Sequence, residues 1–81
     1  MIILGQDRDL AINSDCVVSL EIRLTSYEEQ FYHIIASRDD AQDFDIGAYT
    51  GWKAAKETFL ELVRAWARND PYYTMPREED L

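Results

Sequence analysis

Apolar residues recur at alternating steps of three and four from Trp52 through Ala55, Phe59 and Leu62 to Trp66. That spacing lines one face of an α-helix, and Val63 widens the stripe. Lys53, Lys56, Glu57, Glu61, Arg64 and Arg68 occupy the other side, so the pattern predicts an amphipathic helix over residues 52–68. Thr50 stands just before the run as the expected N-cap. Asn69-Asp70-Pro71 ends it, because Pro71 has no N–H with which to continue the ladder.

Upstream the period falls to two. Val18, Leu20, Ile22 and Leu24 alternate with Ser19, Glu21, Arg23 and Thr25, the mark of a strand with one face on a core and one in water. Residues 30–38 form a second predicted strand that is apolar on both sides. Phe31, His33, Ile35 and Ser37 point one way, Tyr32, Ile34 and Ala36 the other. Such a strand either lies centrally or covers part of a partner. Phe44, Ile46 and Ala48 then alternate with Asp45, Gly47 and Tyr49, with Gly47 marking a bulge or a close backbone approach. Residues 2–6 and 10–13 are short apolar runs joined by Asp7-Arg8-Asp9, a plausible hairpin. Asn13-Ser14-Asp15 and residues 39–43 carry turn chemistry, and residues 26–29 read as a polar loop.

Residues 72–76 are apolar and expected to dock back as an edge strand, with Pro76 blocking further pairing. The predicted fold is therefore α+β: an antiparallel β-meander of four to five strands packed on one C-terminal amphipathic helix. It makes one domain over residues 1–76, followed by a disordered acidic tail at 77–81.

Composition narrows the function classes. Eighty-one residues, 47% of them apolar, allow one small domain with a thin core. The formal charge of −8 is unevenly spread: residues 1–50 carry −7, the helical stretch 51–69 carries +2 and the remainder −3. An acidic body argues against direct binding to nucleic acid or to an anionic membrane. No run approaches the roughly 20 apolar residues of a membrane span, and the apolar start Met1-Ile2-Ile3-Leu4 is too short for a signal peptide, so the expected location is the cytoplasm. Cys16 is the single cysteine. It excludes an internal disulfide and is expected to be a small buried apolar residue, with no basic neighbour to activate it.

The polar residues point away from catalysis. Asp39, Asp40, Asp43 and Asp45 crowd one turn but lack the spacing of a calcium loop, as does Asp7-x-Asp9. His33 is the lone histidine and has no orienting partner at a telling distance in the sequence. There is no glycine-rich phosphate loop and no nucleophile elbow. The expectation is a protein that is not an enzyme and uses no metal or cofactor. Tyr27, Phe31, Tyr32, Tyr49, Tyr72 and Tyr73, in contrast, are more aromatics than one small core readily hides. They serve either as interface anchors or as rings laid on apolar surface with their hydroxyls in water. The helix stripe also has the spacing of a coiled-coil seam, though for little more than two heptads, so a homodimer stays open beside simple core packing.

Three short stretches resemble a family of small uncharacterised proteins of Gram-positive bacteria and their phages. Gln6-Asp7 is similar to the pair that follows the family's first strand. Gly47-Ala48-Tyr49 resembles a Gly-x-Tyr that leads into a helix, whose Ala-Lys is here Ala55-Lys56. Tyr73-Thr74-Met75-Pro76 resembles a terminal Tyr-x-Met-Pro. The acidic loop at 39–43 and Trp52 depart from the pattern. The resemblance implies no activity, and raises the expectation of a mobile-element accessory protein.

The functional expectation is thus a non-catalytic cytoplasmic interaction module with a protein partner. Its candidate contacts are Tyr32, Ile34, Tyr49, Tyr72, Tyr73 and Met75. The alternative is an acidic inhibitor that mimics nucleic acid through Asp39, Asp40, Asp43 and Asp45. A mimic binds with steep salt dependence, and an apolar docking module does not.

Overall fold

The computed structural model describes residues 1–25 and 30–81; the polar loop expected at 26–29, with Tyr27, lies outside the described residues. The strands are β1 (Ile2–Leu4), β2 (Ala11–Asn13), β3 (Val17–Thr25), β4 (Phe31–Arg38), β5 (Asp43–Tyr49) and β6 (Tyr72–Thr74), with one helix, α1 (Trp52–Ala67), before β6. Short 3-10 turns occupy Ser14–Cys16 and Glu78–Asp80.

The fold is α+β as expected, but the strands divide into two sheets instead of forming one meander. β3, β4 and β5 make a three-stranded antiparallel meander, while β1 sits between β2 and β6 in a second sheet. β1 runs antiparallel to β2 and parallel to β6. The break falls where local turn chemistry is strongest. The Asn13 side chain accepts the Asp15 N–H at 3.0 Å, starting the 3-10 turn that carries the chain out of one sheet and into the other. The 3-10 turn also turns Cys16 outward, so the cysteine expected in the core is exposed.

Pairing across the long sheet sorts its side chains. Leu20 lies opposite Ala36, Ile22 opposite Ile34 and Leu24 opposite Tyr32, all on the helix side. Glu21 opposite Ile35 and Arg23 opposite His33 form the outer face. In β5 the alternation breaks: Ile34 pairs with Gly47 but Ile35 pairs with Asp45, leaving Ile46 as the extra residue of a bulge. The bulge shifts the parity by one, so Tyr49 turns inward and Ala48 outward, the reverse of plain alternation. Gly47 meets both sequence expectations, since a Cβ there would lie 3.2 Å from the Met75 methyl and 3.2 Å from the Tyr49 hydroxyl.

α1 is rotated relative to its apolar stripe. Ala55, Thr58, Leu62 and Ala65 face the core, while Phe59 and Trp66 lie at its margin and Trp52 is 52% exposed. The helix begins at Gly51 in extended geometry with no side-chain cap, so Thr50 is not the N-cap. Asn69 closes the other end in the left-handed region (φ 58°). Its N–H reaches the Trp66 carbonyl and the Asp70 N–H reaches that of Ala65, the paired bonds of a Schellman motif.

The core joins every layer. Ile3, Val17, Ile34, Ala36, Ile46, Tyr49, Leu62 and Met75 pack as one cluster. Each of the larger side chains contributes on the order of 1.5–3 kcal/mol by leaving water. Residues 77–81 are not a free tail. Glu78 accepts the Thr50 N–H at 2.9 and 3.1 Å and the Thr50 hydroxyl as well, fastening the C-terminal turn to the helix entry.

Candidate functional site

The six residues expected to contact a partner do not form one surface. Ile34, Tyr49 and Met75 are 0% exposed and hold the core, so the folded chain presents none of them to a partner. The Tyr49 hydroxyl donates to the Pro76 carbonyl at 2.7 Å, and burial raises its pKa to about 12. Tyr73 is half-buried, its phenol pushed upward by burial and by the neighbouring Glu61 carboxylate. Tyr72, on the other side of β6, is 70% exposed. Tyr32 is half-buried, its ring edge-on to Trp52 at 5.5 Å between centroids.

The acidic residues are also dispersed, and most are engaged. Asp39 and Asp40 sit in the β4–β5 turn, where Asp40 accepts from Arg38 at 3.0 Å and from the Gln42 N–H at 3.2 Å. Asp43 accepts from the Ser37 hydroxyl at 2.7 Å and from Arg23 at 3.5 Å. Asp45 accepts from His33 Nδ1 at 2.5 Å. The His33–Asp45 pair is the orienting partner that linear spacing could not reveal, because it depends on the register that sets Ile35 opposite Asp45 and His33 opposite Ala48.

This pair opens on a cleft of about 440 Å³ lined by Gly5, Gln6, Asp7, Asp9, Leu10 and the β5 residues from Asp45 to Ala48. An oriented imidazole in such a cleft is one component of acid–base chemistry. Among the described residues the lining carries no hydroxyl, thiol or amine nucleophile beside it. Among the described residues no cluster of His, Cys, Asp and Glu is arranged to hold a metal.

The three stretches that carry the family resemblance meet along the β5 edge. The Gln6 carboxamide brackets Ala48, accepting its N–H at 2.9 Å and donating to its carbonyl at 3.0 Å. Gln6 also reaches the Pro76 carbonyl at 3.3 Å, which Tyr49 already occupies from the other side. Arg8 donates to the Met75 carbonyl at 2.6 Å. These residues therefore fasten the second sheet and the C-terminal segment to β5.

The apolar surface that remains lies elsewhere. Val63, Trp66 and Ala67 line a shallow depression of about 310 Å³ on α1. Leu60 and Trp52 extend it along the helix, with the Lys56 ammonium 5.7 Å from the Trp52 ring centroid. Leu24, at the end of β3, is 54% exposed. The spacing assigns Trp52, Val63 and Trp66 to a single core stripe; the rotation of α1 divides that stripe and leaves Trp52 and Val63 exposed. No helix among the described residues is long and apolar enough to cross a membrane. The chain matches no protein-family model, no curated protein and no solved structure.

Proposed function

We propose that this protein is a non-catalytic interaction module that engages a protein partner through the outer flank of α1 and the adjoining edge of β3. One observation carries the reading: the helix bears two apolar stripes and the fold covers only the first. Ala55, Leu62 and Ala65 are buried, whereas Trp52, Leu60 and Val63 keep a third to a half of their surface in water. Side chains of this type, contiguous on one helix flank, mark contact sites more often than isolated exposed residues do. The resemblance to the phage-associated family adds the expectation of an accessory role in a mobile element, acting in the cytoplasm.

The acidic-mimic alternative has less behind it, since Asp40, Asp43 and Asp45 are tied to Arg38, Arg23 and His33 and do not form one array. The two readings separate in a capture experiment from the native host at low and high salt. Val63→Asp and Leu60→Asp should abolish capture while each variant stays folded by circular dichroism, because about a third of each side chain already meets water. Capture that survives both substitutions, but is lost to salt or to neutralisation of Asp39, Asp40, Asp43 and Asp45, would overturn the reading in favour of the mimic.

A further inference from the structure

We infer that the occupant of this surface is a second copy of the chain, joined edge to edge through β3 about a twofold axis. The inference rests on the interaction reading above and supplies its partner. β3 is the long open edge of the molecule. Among the described residues it pairs only with β4, whereas the β5 edge receives the Gln6 backbone N–H at Ile46 and the Gln6 side chain at Ala48. A long edge strand is a template for another strand unless something blocks it.

The sequence of β3 is complementary to itself. A register shift at Val18 ends the regular ladder, leaving Ser19 to Thr25 in unbroken register with β4. The centre of that stretch is Ile22. Antiparallel pairing about Ile22 sets Glu21 opposite Arg23 of the second copy and Arg23 opposite its Glu21, on the outer face. On the helix face it sets Leu20 opposite Leu24. Both charged side chains are about half exposed (48% and 47%) and now bond each other along one strand, so they can re-pair across the seam. Opposite charges directly across antiparallel strands are favourable, and like charges are not.

The helices favour the same arrangement. Glu61 stands beside Tyr73 of β6, on the side where the second sheet joins β5. At about 100° per residue, Trp52 and Val63 fall on the opposite flank, toward β3. A twofold axis normal to the sheet keeps both helices on one face and turns these flanks toward each other. Electrostatics favours the same seam. The chain carries −8 overall, but Glu21 and Arg23 cancel within each copy, so the strand seam itself brings together no net charge.

Sedimentation equilibrium over a dilution series tests the proposal, with circular dichroism confirming that each variant is folded. Wild type should be a concentration-dependent dimer. Glu21→Arg and Arg23→Glu should each weaken it roughly tenfold or more, by setting like charges opposite each other twice. An equimolar mixture of the two variants should recover dimer mass, because each then presents what the other lacks, and the double exchange E21R/R23E should do the same. A dimer indifferent to both substitutions would place the interface elsewhere and overturn the proposal. A monomer at every concentration would also overturn it while leaving the interaction reading standing, provided Val63→Asp still abolishes capture from the host. If that substitution also changes nothing, both fall.

Discussion

The Gln6 side chain lies along the open edge of β5 and brackets Ala48, accepting its N–H at 2.9 Å and donating to its carbonyl at 3.0 Å. A carboxamide thus supplies the donor and the acceptor that a neighbouring strand would have offered. Replacing Gln6 by Ala removes both at once and leaves part-buried backbone groups without these partners, at a cost of about 1–3 kcal/mol. Gln6→Glu should cost at least as much, because a second acceptor then faces the Ala48 carbonyl. Urea denaturation checks the magnitude, and faster hydrogen exchange at the Ala48 amide checks the location.

Much of the fold is legible in the sequence where one period persists. Leu20 to Leu24 alternates as expected, but the register shift at Val18 puts Val17 in the core and leaves Val18, expected there, 63% exposed; the helix and its proline stop follow from spacing alone. Legibility ends at Ile46. One extra residue there inverts the parity of everything after it, so Tyr49 reads as a surface residue and is fully buried. Parity is a cumulative count, and a bulge has only the weak signature of a nearby glycine. The helix misleads more subtly. Its stripe is wide enough to face the core in several rotations, and the face chosen sets the small Ala55, Thr58 and Ala65 around Leu62, so the sheet approaches closely. The division into two sheets is set by strands of three residues, too short to announce a partner.

The buried Tyr49 phenol gives the protein an alkaline limit. Burial raises its pKa from 10.0 to about 12, and Tyr73 shifts in the same direction. A value raised in the folded state contributes stability that is complete below the unfolded pKa and is lost as the pH climbs through the folded one. Stability should therefore be flat with respect to these groups up to about pH 10 and fall by about 2–3 kcal/mol for Tyr49 by pH 12. Tyr49→Phe should lose about 1 kcal/mol at neutral pH with the bond to Pro76, yet fall less steeply above pH 10. Tyrosinate absorbance followed alongside circular dichroism separates exposed phenols, which ionise first, from those that ionise only on unfolding.

Ala41 closes the β4–β5 turn with φ at 65°, a left-handed conformation that a Cβ resists. The turn needs it: the Arg38 N–H donates to the Gln42 carbonyl, leaving three residues to reverse the chain. Ala41→Gly relieves a penalty of about 1–2 kcal/mol and gives back part of it in unfolded-chain entropy. A net gain of about 0.5–1 kcal/mol should appear as a higher melting temperature, with no change in self-association, since Ala41 lies beyond the Ser19–Thr25 stretch that pairs across the seam.

Removing residues 77–81 distinguishes a tail from a fastening. A free tail could be deleted without effect. The Glu78 carboxylate instead accepts the Thr50 N–H immediately before a helix whose N-cap, Gly51, has no side chain to offer. It brings a negative charge to the positive end of α1, where the first turn carries Lys53 and no acid. Truncation after Pro76 should cost about 0.5–1.5 kcal/mol, and Glu78→Gln should lose only the charge-dependent part of that. High salt should narrow the gap between Glu78→Gln and wild type, because an exposed charge beside a helix end is readily screened. Equal stability of the full-length and truncated chains would return these residues to the status of a free tail.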